Sequence, residues 1–258
     1  MSLELQHPAV APQRLSHQFE QIDQQNEIYI VGMWTFLVTE IMFFGALFVA
    51  LTVYRSVYPD AFEQAHTALN VWLGLTNTFI LLTSSFTAAM AVRSKMLGER
   101  TRTLFFLAIT IMCAFGFLCV KYVEYSAEFR EHHFPGPNFH WEQPVTASAV
   151  QGDLSANSQV ALGSPKISVN EFPANYQPQQ LALHKRELFF SLYFVMTGLH
   201  GFHVIIGIFV LGTLWLLIYF RHPTVDDYMP VELAGLYWHF VDIVWIFLYP
   251  LVYLIGKQ

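Results

Sequence analysis

Two apolar runs, Leu188 to Phe220 and Leu233 to Ile255, dominate the last third of the chain. A helix needs about 20 residues to cross the hydrocarbon of a bilayer, and each run supplies that length. Because lipid offers no hydrogen bonds to the backbone, segments of this kind fold as helices that satisfy their own amides and carbonyls. The first run contains GLHGFHVIIG (Gly198 to Gly207), and the second leads into YWHFVDIVWIFLYPLVYLIG (Tyr237 to Gly256). Histidine and aspartate cost free energy at such depth, so the groups kept there mark where function is to be sought.

Three further runs read the same way, giving spans at 28–53, 70–92, 103–120, 188–220 and 233–255. With 54% hydrophobic and 12% charged residues, the chain lacks the charged surface of a soluble globule of its length. The expected fold is an all-α integral membrane protein: a polar N-terminal tail (1–27), then a five-helix membrane domain (28–258). Aromatic belts suit its 24 Phe, 12 Tyr and 6 Trp, and a net charge of -6 gives no sign of nucleic acid as a partner. The tail has no signal-peptide core, so the first span is expected to serve as an uncleaved targeting signal.

The loop after the second span carries Arg93, Lys95, Arg100 and Arg102 against one acid, Glu99, and is therefore placed in the cytoplasm. Arg221, at the turn after the fourth span, agrees. The N-terminus then lies inside and the C-terminus outside. A long polar segment, 125–187, falls outside the membrane between helices three and four, and its Ser-, Ala-, Gln- and Asn-rich middle is expected to order against a partner. Within it Glu131, His132, His133, His140 and Glu142 gather, but Pro135 and Pro137 preclude a helix and the spacings match no familiar metal site.

Glu40 lies near the middle of the first span, where a carboxylate facing lipid costs about 3 kcal/mol. It is either protonated or turned toward a hydrogen-bonding partner. His200 and His203 share one face of the fourth span, and His239 and Asp242 one face of the fifth, by their three-residue spacing. Paired against Glu40 across the bundle, they form the candidate set of buried ionisable groups for proton uptake. A metal site is the weaker reading, and haem is excluded because too few histidines lie inside spans. Gly198, Gly201, Gly207 and Gly212 punctuate the fourth span as packing positions, or as walls of a lipid groove with Arg or Trp at its rim. Trp238 and Trp245, seven apart, read as interfacial anchors or helix contacts. Lys121 and Glu124, at the end of the third span, read as boundary charges reaching for headgroups. Cys113 and Cys119 sit on different helix faces and suit neither a disulfide nor a metal.

In order, TEIMFFGALF (Thr39 to Phe48), LLTSSFTAAMA (Leu81 to Ala91), VEY (Val123 to Tyr125), TGLHGFHVIIG (Thr197 to Gly207) and E-x-A-G-x-Y-W-H-F-V-D-x-V-W-x-F-L-Y (Glu232 to Tyr249) resemble subunit III of haem-copper oxygen reductases, above all bacterial cytochrome c oxidase subunit III. The resemblance spans all five helices and matches the five-helix form, which lacks the first two helices of larger members. It implies an accessory subunit without a redox centre, docked on subunit I and near subunit II. Those partners carry the haems and copper. It also implies a bound phospholipid, a glutamate (Glu40) close to histidines (His200, His203), support of proton uptake, and a bacterial inner membrane location. Arg221, Glu232, Trp238, Trp245, Gly198 and Gly201 become the lipid or packing candidates, and 125–187 a contact for further respiratory subunits. Subunit III of a quinol oxidase, and a nitric-oxide-reductase-associated relative, share much of this pattern. A small proton channel or transporter, from a different class, lacks the expected inverted repeat.

Overall fold

The computed structural model describes residues 20–59, 70–130, 178–225 and 227–254, without the side chains of 128, 178–186, 224 and 254. All five apolar runs are helices: α1 (Ile22–Val57), α2 (Val71–Met96), α3 (Arg100–Arg130), α4 (Pro178–Tyr219) and α5 (Met229–Tyr249), which ends in a π-helical turn (Pro250–Leu254). Each is long and apolar enough to cross a membrane. The helices overrun the expected spans, most of all α3, by ten residues at its end, and α4, by ten at its start. Hydropathy reports the depth of hydrocarbon, whereas a helix continues into water wherever its backbone bonds persist. The expected outer segment is thus narrowed, since both of its ends are helical. Residues 131–177, with the histidine-rich stretch, lie outside the described residues.

The connections are made by recognisable local chemistry. The Asn70 side chain caps α2 by accepting from the Trp72 amide at 3.1 Å. At the other end of α2, Gly98 takes φ +74, Gly98 N–H donates to the Lys95 carbonyl and Glu99 N–H to that of Ser94. This left-handed stop favours glycine because a Cβ crowds the following carbonyl. Helix α4 ends on the same pattern, with Arg221 at φ 54, its N–H on the Ile218 carbonyl, His222 N–H on that of Leu217, and Pro223 two residues on.

Helices α2, α3, α4 and α5 pack in a ring, each antiparallel to its two neighbours, and α1 lies outside against α4 and α5. Of the most apolar stretch in each helix, 61% is buried for α5 and 17% for α1, so α5 is the central element and α1 an attached one. Arg100 of α3 crosses to the exposed end of α4, donating Nε to the Ile218 carbonyl at 3.0 Å and a guanidinium N–H to that of Tyr219 at 2.5 Å. These carbonyls belong to the last turn of α4, where that of Ile218 also accepts from the Arg221 N–H. Arg100→Met is expected to lower stability by about 1–2 kcal/mol, read as reduced resistance of the detergent-solubilised chain to thermal unfolding.

One expectation is overturned outright. Lys121 and Glu124 do not reach for headgroups; they are 7% and 4% exposed. Because α3 runs on to Arg130, both residues sit within a packed turn rather than at a helix end, and their heads point into the ring.

Candidate functional site

Helix α1 meets the ring where Glu40 faces His203 of α4, Oε2 to Nε2 at 3.2 Å. His203 is held from behind: its Nδ1 lies 2.8 Å from the Leu199 carbonyl, which can only accept, so Nδ1 carries the proton. A neutral ring then presents Nε2 as an acceptor to a carboxylate that is also an acceptor. The contact therefore requires one further proton, on the Glu40 carboxyl or on His203. Phe44 packs edge-on to the imidazole with centroids 5.3 Å apart, and Tyr237 donates to the His203 carbonyl at 3.1 Å. The side chains of Glu40 and His203 are 22% and 13% exposed on the chain's own surface, at mid-helix depth.

The expected five-membered set is not one cluster. His200, three residues before His203, is 1% exposed and turns into the ring, with its imidazole against Phe117 and Trp245 at 5.5 and 5.2 Å between centroids. Residues three apart on a helix differ by about 60° in direction, enough for the edge of the bundle to fall between them. His239 is taken by Ser85 of α2, Nδ1 to Oγ at 2.7 Å. Asp242 is buried at 2% exposure and none of these groups bonds it. Among the expected partners, only His203 reaches Glu40.

Trp238 and Trp245 prove to be helix contacts and not interfacial anchors. Each is 0% exposed, and each indole N–H crosses to α2, Trp238 to Ser84 Oγ at 2.8 Å and Trp245 to Thr78 Oγ1 at 3.2 Å. The glycines divide too. A Cβ on Gly207 would lie 2.6 Å from the Trp238 ring, whereas at Gly198, Gly201 and Gly212 nothing lies within 4 Å. Arg221 is exposed in the turn after α4, and Glu232 sits half-buried in the first turn of α5, where a negative charge suits the helix dipole.

A second polar centre escaped the sequence analysis. Lys121 donates to Glu124 Oε2 at 2.9 Å and to the Tyr253 hydroxyl at 2.7 Å, while the hydroxyls of Tyr193, at 3.0 Å, and of Tyr253 donate to Glu124 Oε1. The ammonium also lies 4.7 Å from the Trp245 ring centroid. Beside it Tyr125 bonds Thr197 at 2.6 Å. This centre joins α3, α4 and the end of α5. The charge spacing in α3 was the one available signal, and an i, i+3 pair of opposite charges reads equally well as solvated.

Among the described residues no three His, Cys, Asp or Glu side chains gather as a metal site, and Cys113 and Cys119 are free thiols. The polar groups of these helices serve mainly to join one helix to another.

Comparison with known proteins agrees with the motifs. The profile of the family described as cytochrome c oxidase subunit III matches residues 175–257. Cytochrome c oxidase subunit 3 of Branchiostoma lanceolatum is 31% identical over 235 residues, covering 88% of this chain and 69% of that one. The Synechocystis cytochrome c oxidase subunit 3 is 28% identical, covering 89% and 76%. Quinol oxidase subunit 3 of Bacillus subtilis is 27% identical over 238 residues, covering 90% of each.

Proposed function

Because the chain belongs to the cytochrome c oxidase subunit III family, a family of haem-copper oxidase subunits, we propose that it is a non-redox accessory subunit that docks on the haem- and copper-bearing subunit I, near subunit II. There it stabilises the catalytic subunit, holds phospholipid and supports proton uptake. The observation that carries the proton-handling part is the Glu40–His203 pair, which cannot form without an extra proton and is reachable from the chain's surface at mid-membrane depth. Such a pair shares a single proton between the carboxyl and the imidazole. It is placed to exchange with whatever covers α1 and α4.

Cytochrome c is the proposed electron donor of the complex. The Bacillus subtilis relative, a quinol oxidase subunit matched over 90% of each chain, favours quinol as the second reading. The proposed location is the bacterial inner membrane, with the N-terminus in the cytoplasm and the C-terminus outside, argued from the basic α2–α3 loop. The segment 125–187 is the proposed contact for additional respiratory subunits.

The test is purification of the tagged chain in a mild detergent, with mass spectrometry of its partners, a visible spectrum, and oxygen uptake with reduced cytochrome c or a quinol. Co-purifying haem-bearing subunits with cytochrome c turnover is the expected result. Turnover with quinol alone selects the second reading, and a colourless lone protein defeats both. Within the complex, Glu40→Gln is expected to leave assembly intact and to cost below about 1 kcal/mol, as interhelical hydrogen bonds in membranes do. It should alter proton uptake or turnover-dependent inactivation modestly. Failure of Glu40→Gln to assemble would make Glu40 a structural group.

A further inference from the structure

Helix α1 is seated on the ring along a narrow line of side chains. Its buried apolar residues are Leu37, Phe44 and Leu51, at 4%, 2% and 2% exposure, and a spacing of seven keeps them on one face. Glu40 belongs to that line, three residues after Leu37 and four before Phe44. The line meets α4 and α5 through rings, Phe44 on His203 and Phe240 at 5.3 and 6.2 Å between centroids, and Phe36 on Tyr237 at 6.2 Å. The other faces of α1 are open, with Trp34, Ile41, Met42 and Val49 more than half exposed. In lipid an apolar line has no hydrophobic force to hold it, so packing and interhelical hydrogen bonds set how firmly α1 is attached.

The hydrogen bond in that line joins Glu40 to His203, and it exists only while the pair holds its extra proton. Without that proton a carboxylate and a bare Nε2 face each other as two acceptors, and no other described residue donates to the Glu40 carboxyl. A second proton does no such harm, because Nε2–H then donates to a neutral carboxyl. The titratable neighbours leave the pair to itself. On α5, Tyr237 gives its hydroxyl to the His203 carbonyl, and His239 and Asp242 turn to Ser85 of α2. On α4, His200 turns into the ring against Phe117 and Trp245, and among the described residues no lysine or arginine bonds either member of the pair.

We propose that the Glu40–His203 contact is a proton-dependent joint, which seats α1 on α4 and α5 while it holds its proton and lets α1 part from them as pH rises. The proton acts as a ligand that binds the seated form better than the parted one, because only the seated form sets two acceptors together when the proton leaves. Parting separates the two groups and lets water reach both. Attachment is therefore full on the acid side and lost on the alkaline side. The side chains of Glu40 and His203 are 22% and 13% exposed, so the proton has a route to the chain's surface. The joint deepens the proton-handling reading of the pair and rests on its shared proton, but it does not need the oxidase: a chain without haem-bearing partners would still carry it.

The test is a distance measurement by electron–electron double resonance on the full chain in lipid nanodiscs, from about pH 5 to about pH 10. Spin labels go on Met42→Cys of α1 and Phe209→Cys of α4, both on open faces, in a Cys113→Ala, Cys119→Ala background. With Glu40 and His203 both present, one distance is expected at the acid end and a second, longer population that grows several-fold toward the alkaline end. Glu40→Gln is expected to hold the short distance throughout, because its amide N–H donates to Nε2 and its carbonyl accepts from a protonated ring. His203→Gln should do the same, since its amide donates to the Glu40 carboxylate. Labels within the ring, Phe105→Cys of α3 with Phe209→Cys, are expected to keep one distance at every pH. An unchanged α1–α4 distance in the chain with both groups, the same drift in Glu40→Gln, or a drift within the ring overturns the joint. Proton uptake altered by Glu40→Gln in the complex, while α1 stays still, would defeat the joint alone and leave the proton-handling reading in place.

Discussion

Gly207→Val is expected to prevent α4 and α5 from closing, leaving a chain that no longer forms a detergent-stable bundle, and Gly207→Ala to cost about 1–3 kcal/mol. The reason is the indole of Trp238. A single Cβ at residue 207 would meet ring carbons at 2.6 and 2.8 Å, and a Tyr237 ring carbon at 3.4 Å. Trp238 cannot withdraw, because it is 0% exposed and its N–H is held by Ser84. Relief would require the two helices to part, and the close approach that small residues permit is the main source of helix association in lipid. Thermal unfolding of the solubilised chain, followed by tryptophan fluorescence, provides the measurement. Gly201→Ala is the control, since its Cβ meets nothing within 4 Å. Its stability should be unchanged or raised by up to about 1 kcal/mol through helix propensity. Equal unfolding temperatures for Gly207→Ala and Gly201→Ala would refute the steric account.

Breaking the Lys121–Glu124 pair is the other large effect. Glu124→Leu leaves an ammonium 7% exposed without its counter-charge, and Lys121→Met leaves a carboxylate 4% exposed with tyrosine donors alone. Each single substitution is expected to cost about 3–5 kcal/mol, the range for removing one member of a buried ion pair. The double variant, Lys121→Met with Glu124→Leu, is expected to recover most of that loss, because it removes both desolvated charges and leaves two tyrosine hydroxyls to bond each other across 3.3 Å. The comparison is a double-mutant cycle on unfolding of the same detergent preparation. Additive losses would mean that the two residues act separately and that the pair is not the unit that joins α3, α4 and the end of α5. The π-helical turn at Pro250–Leu254 belongs to the same unit, since it carries the Tyr253 hydroxyl to both charges.

The five helices were legible in the sequence because lipid imposes a single requirement, an apolar run of sufficient length, and each run stands clear of its neighbours. Motif order made the family legible as well. Glu40 and His203 were named beforehand as buried ionisable groups, and the structure joins them. His200, His239 and Asp242 were named too, but spacing along one helix reveals which residues share a face and says nothing of which neighbour that face meets. Hence His239 went to Ser85 and His200 to the ring interior.

Lys121 and Glu124 show the same limit from the other side. An opposite-charge pair near the end of an apolar run has the same sequence whether it is solvated or buried, and the choice falls to two tyrosines and a tryptophan from other helices. The glycines repeat the lesson: four punctuate α4, yet Gly207 is the one whose Cβ another helix's ring would meet. What the sequence determined by itself was therefore whatever depends on one segment and its solvent: helix, span and family motif. Partnerships, burial and close approach depend on how α5 is seated among α1, α2 and α4, a rigid-body arrangement set by the sum of many side-chain contacts, and only the tertiary structure decided them.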